Sequence, residues 1–179
     1  VMALSVAEAI HEATGLDTGI KWPNDIVVNG KKVVGILTEM SMTPEMNEIQ
    51  FLVAGVGVNV NQESAAEFPE ELRETATSLK IESGRHFDRA GLLAEILARF
   101  EEDYETFERT LTLSALKERY EARLVGRDAV VRVLDPAGEY TGISRGITDT
   151  GELIVERENG ERTLVYAGEV SVRGLYGYV

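Results

Sequence analysis

The sequence contains no cysteine, which excludes disulfides and thiolate-held metal sites. Histidine is nearly as scarce. His11 and His86 are the only two, they lie far apart without a second ligand pattern, and no zinc site is expected. Basic residues number 18 against 31 acidic ones, for a formal net charge of −13. A nucleic-acid surface needs Lys and Arg clustered against phosphate, so no nucleic-acid partner is expected. The acidic balance favours solubility and hints at a salt-tolerant source. No apolar run approaches the ~20 residues of a membrane span, and no signal peptide is visible; the expected location is cytoplasmic, with no membrane partner. Repeats and low-complexity segments are absent as well. The first residue is valine and the chain opens inside a helical pattern, so a fragment of a longer protein is expected.

What is present is a globular composition. A hydrophobic share of 44% in 179 residues suits one ordinary domain, or one medium and one small. Ala3, Ala7, Ile10 and Ala13-Thr14 recur at helical spacing and stop at Gly15. Ile20 to Trp22 starts a strand. Ile26-Val27-Val28 and Val33 to Leu37 flank Asn29-Gly30, a pair that tolerates the positive φ angles of a type I′ hairpin turn. Met40 to Glu48 reads as a loop. Ile49 to Val60 reads as a third long strand, apolar almost throughout, as when both faces are covered. Short turns between these strands predict an antiparallel meander.

A polar connection follows, with a helical turn after Pro69. Asp88 is a candidate N-cap for a long helix whose core face would be Ala90, Leu93, Leu97, Phe100, Tyr104 and Phe107. A second helix, Ser114 to Arg123, carries Leu116, Tyr120 and Leu124. Composition changes at Val125-Gly126. Beyond it, Ala129 to Leu134, Tyr140 to Ile147, Leu153 to Glu158, Thr163 to Tyr166 and Val170 to Arg173 read as strands. Turns such as Asp135-Pro136-Ala137-Gly138 and Asn159-Gly160 separate them. The pattern predicts an α+β domain at 1–124 and a small, closed, SH3-like β-barrel at 125–179.

Candidate chemistry gathers around Lys21-Trp22-Pro23-Asn24-Asp25. Pro23 marks a strand end or edge, and the residue before a proline is pushed to extended geometry, so Lys21 and Trp22 are held rigidly. A lone strand lysine is usually a solvated face residue, and Trp22 is read as packing. Asn24 and Asp25 fix the turn, or orient Lys21 or a magnesium ion. Gly35 interrupts an apolar strand, which marks a bulge or a close approach by ligand or backbone. Gly55-Val56-Gly57 lacks the third glycine and the helix of a dinucleotide fingerprint. Asn59 and Asn61 either end that strand or offer an amide with donor and acceptor on one plane. Arg145 sits mid-strand, where an exposed arginine is the usual case.

Taken in order, five segments resemble the biotin protein ligases. They are Lys21-Trp22-Pro23-Asn24-Asp25, Gly35-Ile36-Leu37-Thr38-Glu39, Gly55-Val56-Gly57-Val58-Asn59-Val60-Asn61, Gly142-Ile143-Ser144-Arg145-Gly146-Ile147 and Gly168-Glu169-Val170-Ser171-Val172-Arg173. The resemblance implies a mixed or antiparallel sheet packed with helices, the class II synthetase-like catalytic fold, here incomplete, before the barrel. It implies ligation of biotin, through biotinyl-5'-adenylate, to a lysine of a biotin carboxyl carrier protein. ATP would be the second substrate and magnesium the cofactor, with no metal ligand assigned in this chain.

Joining a carboxylate to the α-phosphate of ATP brings two anions together, at a cost of several kcal/mol unless a cation lies between them. The resemblance makes Lys21 that cation and a biotin contact. It assigns Gly35, Ile36 and Leu37 to the biotin pocket, Gly57 and Asn59 to the nucleotide, with Asn59 on adenine, and Arg145 to the triphosphate. Two other readings stand beside it: a non-catalytic folded interaction module, and a relative of the lipoate ligases, against which the Lys-Trp-Pro-Asn-Asp run argues. The family's Gly/Arg-rich loop, its strand for the biotin ureido ring and the winged helix of some members have no counterpart here. The resemblance therefore predicts weak ATP or adenylate binding, no useful carrier biotinylation by this chain alone, and an uncovered sheet edge that invites a homodimer.

Overall fold

The computed structural model describes residues 1–43, 49–136, 138–167, 171–174 and 178–179. Helix α1, Met2–Thr14, ends on Gly15 in the left-handed region, and its Leu4, Val6, Ala7 and Ile10 are fully buried. Strands β1 (Gly19–Lys21), β2 (Asp25–Val28), β3 (Lys31–Met42) and β4 (Ile49–Val58) follow as an antiparallel meander paired in chain order. The β2–β3 turn has φ of 50° at Asn29 and 76° at Gly30, the two positive angles expected of a tight hairpin. Ile20, Ile26, Val28, Val33 and Val34 share one buried core with the apolar face of α1.

Two strand readings change. Met40 to Met42 belong to β3, where they pair with Leu52, Phe51 and Ile49; residues 44–48 of the expected loop lie outside the described residues. And β4 is not covered on both faces: Phe51 and Leu52 are each 57% exposed. β2 stops pairing with β3 at Gly35, so the outer half of the β3–β4 ribbon runs past the rest of the sheet. Its apolar sequence signals a strand but not what lies on either side of it.

After two 3₁₀ turns, Ala65–Glu67 and Glu70–Leu72, a short helix α2 (Leu79–Ser83), which the sequence reading lacked, is capped by the Ser78 hydroxyl accepting from Ile81 N. Asp88 caps the long helix α3 (Arg89–Thr110), accepting from Ala90 N and Gly91 N. Its buried stripe is Leu92, Ile96 and Asp103, whereas Leu93 is 56% exposed and Leu97 and Tyr104 are exposed too. Phe107 packs against the core as expected, but the rest of the apolar periodicity selected a neighbouring stripe because the true one contains a charge. Asp103 is buried but satisfied: it accepts from Ser5 Oγ of α1 at 2.8 Å and pairs with Arg119 at 2.7 Å. Arg119 lies on α4 (Lys117–Arg123) and also pairs with Glu8 of α1, so one cluster ties three helices together.

Leu116, Tyr120 and Leu124 are buried as expected. Beyond them β5 (Val130–Leu134), β6 (Tyr140–Ile147), β7 (Leu153–Glu156), β8 (Arg162–Val165) and β9 (Ser171–Gly174) form a second antiparallel sheet in the order β8-β7-β6-β5-β9. Among the described residues β8 and β9 remain its edges, so the sheet is not closed into a barrel. Val125 N donates to Ile20 O at 2.9 Å, and the Trp22 indole donates to Gly151 O at 3.0 Å. These bonds set the second sheet against the end of β1.

Asp88→Ala should lower stability by about 1 kcal/mol, the usual cost of losing an N-cap. Urea unfolding should show an earlier midpoint with an unchanged m-value.

Candidate active site

Register brings four residues into one row across the first sheet. Lys21 faces Asp25, Asp25 faces Gly35, and Gly35 faces Gly57. Directly opposed residues project to the same face. One half of the row carries an ammonium and a carboxylate; the other half carries no side chain at all. The bare half floors a cavity of about 640 Å³ that Lys21, Asp25, Lys32, Asn59 and Arg173 line together, with Phe68, Pro69 and Leu72 as an apolar wall. A shallower hollow of about 600 Å³ joins it through Asp25, Lys32, Gly35 and Gly57, and continues to Leu37 and Gly55. A third cavity, about 400 Å³ and mostly apolar, lies between the two sheets and shares Lys21, Arg173 and Tyr178 with the first.

The charges in this region run against the chain's acidity. Three cations line the first cavity, Lys21, Lys32 and Arg173, against one carboxylate, Asp25. Such a cleft concentrates a positive field and draws in anions. Asp25 is held on both oxygens: Lys32 Nζ lies 2.6 Å from Oδ1, and the Tyr178 hydroxyl donates to Oδ2. Lys21 Nζ sits 4.2 Å from the centroid of the Tyr178 ring, a cation–π contact. Burial lowers the Lys21 pKa from the usual lysine value; Asp25 opposes that, and Arg173 and Lys32 add to it. Burial pushes the Tyr178 phenol up, and its bond to Asp25 pushes the same way, so it remains a donor.

Other expected positions resolve one by one. Asn24 is engaged with β3, its Nδ2 donating to Ile36 O while Ile36 N donates to Asn24 O at 3.0 Å. It fixes the turn after β1. Gly35 is a point of close approach: a Cβ there would meet Lys32 Cε at 2.9 Å and Nζ at 3.0 Å. Leu37 is 65% exposed on the face of Gly35, while Ile36 is buried. Strand alternation turns the Ile36 side chain to the other face, so only its backbone reaches the shallow hollow. The two asparagines differ. Asn61 holds Phe87, donating to its carbonyl at 2.9 Å and accepting from its N–H at 3.0 Å. Asn59 lines the cavity, with its backbone fixed by bonds to Val33 O and from Leu79 N.

Arg145 is not at the cavity. It is paired with Asp128 and Glu156, each at 3.0 Å, because its strand turns it toward the outer side of the second sheet. Arg173 of β9 stands beside Lys21 instead. Gly168, Glu169 and Val170 of the same segment lie outside the described residues. Sequence reasoning missed Lys32 and Tyr178 as well. A lysine pair after a hairpin turn carries no signal of its own, and a terminal tyrosine carries even less. Among the described residues no group of three or more His, Asp or Glu side chains could hold a metal ion, and no helix is long and apolar enough to cross a membrane.

Residues 1–59 match the Biotin/lipoate A/B protein ligase family, and residues 130–173 match the Biotin protein ligase C terminal domain. The chain is 39% identical over 170 residues to the bifunctional ligase/repressor BirA of Bacillus spizizenii, covering 95% of this chain and 51% of that protein. It is 32% identical over 182 residues to the biotin–acetyl-CoA-carboxylase ligase of Paracoccus denitrificans, covering 97% of this chain and 73% of that protein. Among solved structures it matches the biotin protein ligase from Aquifex aeolicus in complex with biotin and ATP. The TM-score is 0.83 at 32% identity, covering 97% of this chain and 69% of that one. The chain thus spans about half the length of the BirA protein it matches.

Proposed function

The chain belongs to the biotin protein ligase family, and from that premise we propose that a whole ligase carrying it activates biotin with ATP and passes the biotinyl group to a lysine of a biotin carboxyl carrier protein. The observation that carries this reading is the row Lys21–Asp25–Gly35–Gly57, with a hollow on each side of one bare floor. Two substrates need adjoining sites that meet at a cation, and here the hollows meet at Lys32, beside Asp25, Gly35 and Gly57, with Lys21 lining the deeper of the two.

In the first step an oxygen of the biotin carboxylate attacks the α-phosphorus. The bond from that phosphorus to the bridging oxygen breaks, and pyrophosphate leaves. Lys21 lies between the two anions as they approach and follows the charge onto pyrophosphate; Lys32 supplies a second ammonium across Gly35. Gly35, Leu37 and the Ile36 backbone bound the biotin hollow. Gly57 and Asn59 take the nucleotide, with the Asn59 amide suited to a base edge. Arg173 rather than Arg145 offers its fork to the triphosphate. In the second step the carrier lysine attacks the adenylate carbonyl, AMP leaves, and the amine gives up a proton.

Magnesium finds no resident site among these residues. The one carboxylate at the cavity, Asp25, is already held by Lys32 and Tyr178. In this reading the ion arrives on the phosphate oxygens of ATP, as is usual for it. We divide the chain between Leu124 and Val125, with the second sheet, open between its edges β8 and β9 among the described residues, as a small unit of its own. A cytoplasmic location and a homodimer formed through the exposed β4 edge complete the proposal.

ATP–pyrophosphate exchange tests it. Exchange should require biotin and not be supported by lipoate. Exchange driven by lipoate would move the chain to the lipoate-ligase reading, and exchange with neither acid would leave the folded interaction module.

A further inference from the structure

Lys21 and Asp25 face each other directly across β1 and β2, where opposite charges ordinarily pair. They do not pair here. Both Asp25 oxygens are taken, one by Lys32 at 2.6 Å and one by the Tyr178 hydroxyl. Lys21 instead rests over the Tyr178 ring, 4.2 Å from its centroid. One side chain thus occupies the carboxylate and carries the ammonium. The end of the chain is seated to allow this. A Cβ on Gly174 would lie 2.5 Å from the carbonyl carbon and oxygen of Val179, and one on Gly30 would lie 3.2 Å from Val179 Cγ2. Both glycines leave the room that Val179 fills, one at the end of β9 and one in the β2–β3 turn.

We infer that Tyr178 is a positioning residue for Lys21: it keeps the ammonium out of an ion pair with Asp25, so that it stays available to the anions entering the cavity. The inference deepens the ligase reading and rests on it for its kinetic consequence only. Without the hydroxyl, Asp25 Oδ2 loses its partner in a partly buried setting, which is unfavourable, and Lys21, its register partner on β1, is the facing ammonium not already bonded to it. Collapse onto Asp25 would hold the ammonium where substrate anions compete poorly for it. The charged and titratable groups facing Lys21 among the described residues are Asp25 on β2, Lys32 on β3, Arg173 on β9 and Tyr178 itself. A lysine that gains a carboxylate partner titrates at higher pH, so the collapse has a sign that can be read.

The test compares the unmodified protein with Tyr178→Phe, which deletes one oxygen and keeps the ring. Trace acetylation across the alkaline range, followed peptide by peptide by mass spectrometry, reports the titration of Lys21 without ATP or biotin. Lys117, paired with Asp149 away from the site, serves as the internal control for folding. In Tyr178→Phe the Lys21 pKa should rise by about one pH unit, and kcat for biotin-dependent pyrophosphate exchange should fall about tenfold. Asp25→Asn on the Tyr178→Phe background should reverse the rise, because the amide has no charge to capture Lys21. A merely structural tail would give neither the rise nor its reversal. An unchanged Lys21 titration in Tyr178→Phe, or a rise that Asp25→Asn leaves in place, overturns the inference. Absence of exchange in the unmodified protein would instead sink the ligase reading and leave the titration result standing.

Discussion

In the full-length enzyme, Lys21→Ala should slow biotinyl-adenylate formation by two to three orders of magnitude, roughly the 3–4 kcal/mol lost with one preorganised electrostatic group. The size of the effect follows from where the ammonium sits. β1 ends at Lys21, and Pro23 and the engaged Asn24 amide fix the turn that follows. The side chain is half-buried and its charge already carries a desolvation cost, so an anion that binds it relieves an existing penalty. Alanine would leave Lys32 and Arg173 in the cavity, and these set the residual rate. Arginine should rescue only in part, since a planar fork does not copy a compact ammonium, least of all one seated over the Tyr178 ring. The measurement is biotin-dependent pyrophosphate exchange, with a thermal melt showing that the variant folds. A near-normal rate for Lys21→Ala would transfer the bridging role to Lys32.

Most of the first sheet could be read from local signals. Asn29-Gly30 specified a hairpin because few other pairs accept two positive φ angles, and Gly15 and Asp88 ended and began helices for reasons contained in single residues. The site was only half legible. Lys21, Gly35, Gly57 and Asn59 are singled out by the resemblance of their segments to the biotin protein ligases, and the fold brings all four to one cavity. Lys32 and Arg173 reach the same cavity from ordinary strand positions, and Tyr178 from the chain's end. Only long-range packing gives such residues a role. Arg145 and Arg173 illustrate the point: both sit on short strands of the second sheet, and no local pattern says which strand faces β1. The α3 stripe failed for a different reason. A buried Asp103, satisfied by Ser5 and Arg119 from two other helices, breaks an apolar count that assumes buried means hydrophobic.

Gly57→Leu should abolish most nucleotide binding while leaving the fold intact, and this separation makes it a sharp test of the bare floor. Gly57 pairs with Gly35 on the cavity face. A Cβ at this position would meet only Gly35 O, at 3.9 Å, and the backbone there does not have a positive φ. Strands tolerate glycine poorly and larger side chains better, so the melting temperature should hold or rise. The isobutyl group, however, would project into the cavity beside Lys21, Asp25 and Asn59, where a ribose or phosphate must lie in the ligase reading. Loss of that space together with the desolvation of phosphate oxygens should weaken ATP binding at least ~100-fold, about 2.7 kcal/mol. Gly57→Ala adds one methyl at ordinary contact distance and should lose far less, which makes the pair a graded probe of the floor. Titration calorimetry with ATP reads the affinity and a melt reads the stability. If the leucine variant bound ATP as tightly as the glycine protein, the nucleotide would have to sit elsewhere, and the assignment of Gly57 and Asn59 would fall with it.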